Sequence, residues 1–337
     1  MNLSRCRQKK SIIVILNLLL LLSISGHTHH QFTSNVFSYQ QVITYMSKNG
    51  IIQDRQQWSR ILSQSANGQK INNIHALNSI LVQGNKHSSA ASSMNSYKNI
   101  DYPSTTIYGE LKIINIPSFS SENKKEITQY INSLHHQISV LKADPTIILN
   151  FANNQGGNPQ AMLAGISDLL PNGILFTEVS RNNKRYDFTK NDQILHDSRS
   201  QETTKLPNNT RVDPPKIYII TDETTASAAE FSIIALKQNK QAIIIGYPTA
   251  GYTSTNTILK INHQNEVANI TNGTVSSKKP IGNKTHFNND PLTPDITTLY
   301  RPISPVADPQ TKHQQPLDPD FLSELFKVIA KNDSRST

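Results

Sequence analysis

The sequence predicts an α/β fold, on three observations. Four short apolar-rich runs, Ile107–Ile116, Thr146–Phe151, Lys216–Ile220 and Ala242–Ile245, have the length of strands. Segments with helical periodicity alternate with them, most clearly Ile127, Tyr130, Ile131, Leu134, Ile138 and Leu141 on one face. Turn-forming residues such as Pro117, Asp144-Pro145 and Gly156-Gly157 stand at the junctions.

The first 25 residues read as a targeting segment, not as fold. Arg5, Arg7, Lys9 and Lys10 precede an apolar stretch from Ile12 to Leu22, broken only by Asn17. Ser23-Ile24-Ser25 then sets small residues where a signal peptidase cuts, just before Gly26. An uncleaved anchor is the alternative, although the stretch is short for a membrane span. Export would place the protein outside the cytoplasm, secreted or in the cell envelope. The single cysteine, Cys6, lies inside this segment, so a cleaved chain has no disulfide and no thiol nucleophile. Cleavage also leaves 29 basic against 24 acidic residues, a mild net charge of +5. That balance suits contact with an anionic envelope or simply a solvated surface. No Arg-rich run with interleaved aromatics is present, which argues against nucleic acid as a partner.

A run at Gly26-His27-Thr28-His29-His30 could hold a metal weakly, but reads as an unstructured mature terminus. Residues 32–88 form a helical unit. Ser34 or Asn35 can cap a helix reaching Ser47, a second spans Gln53 to Ala66, and a third runs from about Ile71 to Gln83. Residues 89–104, rich in Ser, Ala and Asn, read as a linker to a core at 105–331. In that core, helices are expected at Pro159–Leu170, Ser227–Gln238 and Asp318–Ala330, with a hairpin at Ile174–Phe188. Thr189–Pro215 reads as a long polar loop, and strand-like runs follow at Ile258–Ile261 and Val267–Thr271.

Three junctions have residues suited to chemistry. Ile219-Ile220-Thr221-Asp222-Glu223-Thr224-Thr225-Ala226-Ser227-Ala228-Ala229-Glu230 runs from a strand through a turn into a helix opening at Ser227. Serine there sits at the positive end of the helix dipole, with unpaired N–H groups behind it. An acyl-transfer nucleophile needs that exposure and those donors. An ordinary N-cap followed by small packing residues has the same appearance. Asn150-Phe151-Ala152-Asn153-Asn154-Gln155-Gly156-Gly157 lets the backbone approach a ligand closely, and a plain glycine-rich turn fits equally well. Ile245-Gly246-Tyr247-Pro248-Thr249-Ala250-Gly251-Tyr252 likewise reads as a turn leaving a strand.

Taken in order, these segments resemble the peptidase domain of the C-terminal processing (tail-specific) proteases and the tricorn core, over roughly residues 105–300. Thr225-Ala226-Ser227-Ala228-Ala229-Glu230 is similar to the family's Ser-Ala-Ser-Ala-Ser/Ala-Glu, so the resemblance implies Ser227 as nucleophile. Against Asp-Leu-Arg-x-Asn-x-Gly-Gly, Asn154, Gly156 and Gly157 match, while Asn150 and Ala152 replace Asp and Arg. The implied oxyanion donors are the N–H groups of Gly156 and Ala228. The Ser-Lys branch carries its base directly after Gly-x-x-Thr-x-Gly, where this chain has Tyr252. A phenol of pKa near 10 is a poor substitute. The tricorn-like branch, which includes the retinoid-binding protein of the eye, takes a histidine from a Gly-Asp-x-His turn after a helix. Gly84-Asn85-Lys86-His87-Ser88 matches it, which implies His87 as base and Ser88 as a residue that orients or solvates the ring. A solvent-exposed loop histidine is the alternative for His87. That branch completes its relay with a glutamate upstream of a Pro-Asp pair, here Pro294-Asp295. His286-Phe287-Asn288-Asn289-Asp290 contains none, and Asp290 is the nearest carboxylate.

The implied fold is the crotonase-like ββα-superhelix with a small helical N-terminal unit. Only about 20 residues separate His87 from the strand at Ile107, too few for a PDZ domain. The expected activity is that of an exported serine peptidase acting on a peptide or protein through an acyl-enzyme, with no cofactor or metal. Two rivals use the same fold: a catalytically impaired peptide- or ligand-binding protein, to which the departures at Asn150, Ala152 and Tyr252 point, and an esterase.

Overall fold

The computed structural model describes residues 36–66, 71–92, 100–121, 123–207, 216–261, 265–303 and 314–333. The targeting segment, Cys6 and the histidine run at 27–30 lie outside them. Helices α1 (Tyr39–Asn49), α2 (Arg55–Ala66) and α3 (Ile74–Gly84) come first. The cap of α1 is Ser38, whose Oγ accepts the Gln41 N–H while Gln41 Oε1 accepts the Ser38 N–H. Asn73 caps α3, and Asp54 accepts the N–H of Gln57 at the start of α2.

The rest of the chain forms two sheets. One has the order β14 (Ile296–Thr297), β10 (Ala242–Gly246), β9 (Lys216–Thr221), β4 (Thr146–Asn150), β3 (Leu111–Asn115), β2 (Ser104–Tyr108). It is parallel except for the β2–β3 pair. The run expected as one strand from Ile107 to Ile116 is therefore interrupted, reversing at Gly109, whose φ of 57° suits glycine. Helices α4 (Lys124–Val140), α5 (Pro159–Gly165) and α6 (Ala228–Leu236) cover one face with a large aliphatic core. Helix α7 (Pro319–Asp333) packs Phe321, Leu325 and Ile329 against residues of β3, β4 and β9 in a separate cluster.

The second sheet is antiparallel, in the order β1 (Ser89–Ser92), β12 (Glu266–Ile281), β5 (Gly173–Ser180), β6 (Arg185–Lys190), β7 (Ile194–Asp197), β8 (Glu202–Lys205). Strands β11 (Ser254–Ile261) and β13 (Lys284–Phe287) also pair with β12. Two sequence expectations change here. The linker begins as β1, because Ala90 and Ala91 bury against β12. The polar loop at Thr189–Pro215 contains β7 and β8, part-buried with buried in the first and part-buried with exposed in the second, a pattern that carries little apolar signal. Val42, Met46, Leu77 and Leu81 of the helical unit share one core with Leu259, Ile261, Ala268 and Ile270 of β11 and β12. That packing brings the turn after α3 onto the antiparallel sheet.

Candidate active site

Strand β9 ends at Thr221 and α6 begins at Ala228, so Ser227 is the residue before the helix. Its φ is 55° and its ψ −119°, a conformation that only a well-braced non-glycine residue keeps. Two buried carboxylates supply the bracing. Asp222 accepts the N–H groups of Thr224 and Thr225 at 3.1 and 3.0 Å, and that of Asn153 at 3.1 Å from the facing turn. Glu230, fully buried, accepts the N–H of Ser227 at 2.9 Å and that of Tyr252 at 2.7 Å on one oxygen. Its other oxygen takes the Gly251 N–H at 2.9 Å and the Thr249 hydroxyl. Burial pushes the Glu230 pKa up to about 7, against the four donated hydrogen bonds that favour the carboxylate.

The glycine turn closes on the serine turn from β4. The carbonyl of Asn154 accepts the Ala226 N–H at 2.9 Å. Gly156 has φ 92°, and a Cβ there would lie 2.7 Å from the Ala226 oxygen and 2.9 Å from both the Ala228 nitrogen and the Ser227 Cβ. Only glycine fits so close to the serine. The Gly156 N–H itself donates to Asn154 Oδ1 at 2.8 Å. The two residues that depart from the family's pattern have local tasks: Asn150 bonds Asn115 and the Ala152 N–H, and Ala152 is fully buried.

His87 is 1% exposed, not a solvent-facing loop residue. Its ring lies 4.8 Å from that of Tyr252, centroid to centroid, at an interplanar angle of 76°. Glu230 bonds the backbone N–H of both Tyr252 and Ser227, so the serine turn and the loop whose Tyr252 ring packs on His87 share one anchor. His87 Nδ1 is 2.7 Å from Ser254 Oγ, and Nε2 is 3.1 Å from Asn256 Nδ2. Ser254 in turn donates to Asn289 Oδ1 at 2.6 Å. Burial, with the neighbouring Lys86 charge, lowers the His87 pKa to about 3. Lys86 donates to the Ala250 carbonyl at 3.0 Å and lies 5.3 Å from the centroid of the Tyr252 ring.

Two expected partners of the ring are engaged elsewhere. Ser88 Oγ accepts the Thr271 N–H at 3.0 Å, which fastens the turn to β12. Asp290 pairs with Lys284 and accepts the Asn288 N–H at 2.9 Å. Despite the opposing effect of burial, these bonds lower its pKa. The segment singled out for the missing acid does reach the partners of His87, but through Asn289, one residue earlier, which bonds Ser254 and Asn85. Gly251 permits this approach, since a Cβ there would meet Pro291 N at 2.7 Å and the Asn289 oxygen at 3.0 Å. Sequence reasoning passed over Asp222, Glu230, Ser254, Asn256 and Asn289 as site residues. Glu230 was visible as the last residue of the serine motif, whereas the others carried no signal of their own. Among the described residues no group of three His, Cys, Asp or Glu side chains could hold a metal, and no helix is long and apolar enough to cross a membrane.

The chain is 26% identical over 196 residues to the nisin-resistance protein of Lactococcus lactis subsp. lactis, covering 58% of this chain and 59% of that protein. It is 27% identical over 215 residues to the carboxy-terminal processing protease CtpA of Bacillus subtilis, covering 59% of this chain and 41% of that one. The chain thus matches under two thirds of the length of either curated relative. A solved lipoprotein from Streptococcus agalactiae superposes with a TM-score of 0.64 at 25% identity, covering 77% of this chain and 91% of that one. The description of Peptidase family S41 matches residues 110–298, more than half of the chain and all of the site except the His87 turn, and the chain belongs to that family.

Proposed function

We propose that the protein is an exported serine peptidase in which Ser227 is the nucleophile and His87 the general base. The observation that carries this reading is Ser227 itself: part-exposed, in a left-handed conformation at the start of a buried helix, with a glycine pressed against it. Strain of this kind persists where surrounding structure over-determines it, and it clusters at reactive residues. Ser227 Oγ would attack the peptide carbonyl carbon while its proton passes to His87 Nε2, from which the Asn256 amide must withdraw. The N–H groups of Ala228 and Gly156 would hold the oxyanion, with Gly156 exchanging its bond to Asn154 Oδ1 for one to the substrate oxygen. His87 then gives its proton to the leaving amine, forming the Ser227 ester. Water attacks the ester as His87 takes its proton, His87 returns that proton to the departing Ser227 Oγ, and the acid is released.

The two packed sheets and covering helices support the crotonase-like superhelix, with residues 32–88 as its helical N-terminal unit and 105–331 as the peptidase core. Relatives named a nisin-resistance protein and a lipoprotein support a peptide substrate and an envelope location. A fluorophosphonate probe tests the site: it should label wild-type protein at Ser227 and leave Ser227→Ala unlabelled. Absence of labelling together with retained peptide binding would favour the non-catalytic binding protein. Turnover of simple esters without turnover of peptides would favour the esterase.

A further inference from the structure

We infer that Ser254 and Asn289 are positioning residues that fix His87 as its Nδ1–H tautomer, with no carboxylate in the relay. The inference rests on the reading of His87 as base. Two backbone groups set the direction of every bond in the chain. The His87 N–H can only donate, and it does so to Asn85 Oδ1 at 2.9 Å. The Ile51 carbonyl can only accept, and it takes a proton from Asn85 Nδ2 at 2.9 Å. The Asn85 amide is therefore oriented one way. Its Oδ1 also accepts from Asn289 Nδ2 at 2.9 Å, which turns Asn289 Oδ1 to Ser254 Oγ at 2.6 Å. A hydroxyl has one proton, and Ser254 gives it to that amide oxygen. Across the 2.7 Å contact with the ring, Ser254 must then accept, so Nδ1 carries the imidazole proton. On the far side Asn256 Nδ2, 3.1 Å away, can donate to the lone pair that this leaves on Nε2. Ser254 and Asn85 are fully buried, and Asn289 is 7% exposed, so little water competes for these bonds.

A carboxylate in this place would also orient the ring, but its charge would favour the imidazolium. The hydroxyl and amide orient it without that charge. The titratable groups facing the ring are Lys86 on its own turn and Tyr252 from the loop after β10. Glu230 of α6 and Asp290 from the loop before β14 act on Lys86 rather than on the ring. A cation is thus the nearest charge, and the relay holds a ring that stays neutral.

Two-bond proton–nitrogen correlation spectra of imidazole-labelled Ser227→Ala protein test this directly, because they read the tautomer whether or not the protein is a peptidase. His87 should be protonated at Nδ1 and bare at Nε2. Adding Ser254→Ala should release a mixture of tautomers. With Ser227 present, Ser254→Ala should lower kcat by roughly 10–100-fold with little change in KM, the size of loss seen when a metal-bound histidine loses its outer partner. Asn289→Asp should move the acid limb of kcat/KM upward. An Nε2-protonated ring, or a Ser254→Ala variant with unaltered tautomer and kcat, overturns the inference. If Ser254→Ala fails to fold, the Ser227→Ala spectrum and the Asn289→Asp shift decide it. Full turnover in His87→Ala would instead sink the reading of His87 as base.

Discussion

Around Ser227 the anchors are carboxylates, and what they hold is backbone; around His87 the anchors are amides and a hydroxyl, and what they hold is a ring. Asp222 and Glu230 accept N–H groups from the serine turn, the glycine turn and the loop after β10. Each carboxylate takes several donors at once, which suits a turn kept at an unfavourable φ. On the other side Asn85, Asn289 and Ser254 place the imidazole without adding charge. The difference separates two requirements. On the proposed reading, a strained nucleophile needs strong bracing, whereas a base needs a fixed lone pair and must not be protonated at rest.

The largest effects should come from the reacting groups of each half. Ser227→Ala should lower peptide turnover by several orders of magnitude with an unchanged circular dichroism spectrum, and His87→Ala should cost nearly as much, since such residues act as a unit. Wild-type turnover in Ser227→Ala would end the peptidase reading at this site. Next in size is Glu230→Ala, which leaves three buried N–H groups without their acceptor. The loss should be on the order of 3 kcal/mol in urea unfolding. A change below about 0.5 kcal/mol, the range of bland surface substitutions, would show that the charged half is not what braces Ser227.

The neutral half predicts a pH dependence of definite sign. The folded-state pKa of His87, about 3, lies below the usual value of about 6.5. As pH falls through 6.5 the unfolded chain binds the proton first, so this residue makes stability fall from there toward pH 3. The slope should flatten in His87→Gln. The acid limb of kcat/KM should likewise lie well below pH 6, and a limb near 6.5 would mean that burial and Lys86 do not set the basicity of the ring. The smallest effect is expected from Tyr252→Phe, within about threefold in kcat/KM. Burial and Glu230 raise the pKa of that phenol, leaving it protonated beside His87. Complete loss with a limb near pH 10 would transfer the base role to it.

Legibility in the sequence followed the same division. Ser227, the glycine pair and the strand–turn–helix order were readable because each is a local pattern of turn residues beside a strand. His87 was readable only as a motif, and its partners were not readable at all. Ser254, Asn256 and Asn289 are ordinary polar residues in a chain rich in them, and none is charged enough to stand out. The resemblance implies a carboxylate before Pro294-Asp295. The residue that bonds the relay there is an amide, and Asp290 is taken up by Lys284.

By itself the sequence determined the alternation of strands and helices around the parallel sheet, the helix that opens behind Ser227 and the need for glycine beside it, since these follow from periodicity, capping and backbone sterics within a few residues. Tertiary structure decided which groups meet His87. Ser254 and Asn256 lie 167 and 169 positions from His87, and they reach it because the helical unit packs its aliphatic face on β11 and β12. Neutral hydrogen-bond partners have no reach beyond contact, so only the folded register of that sheet could select them from the many alike.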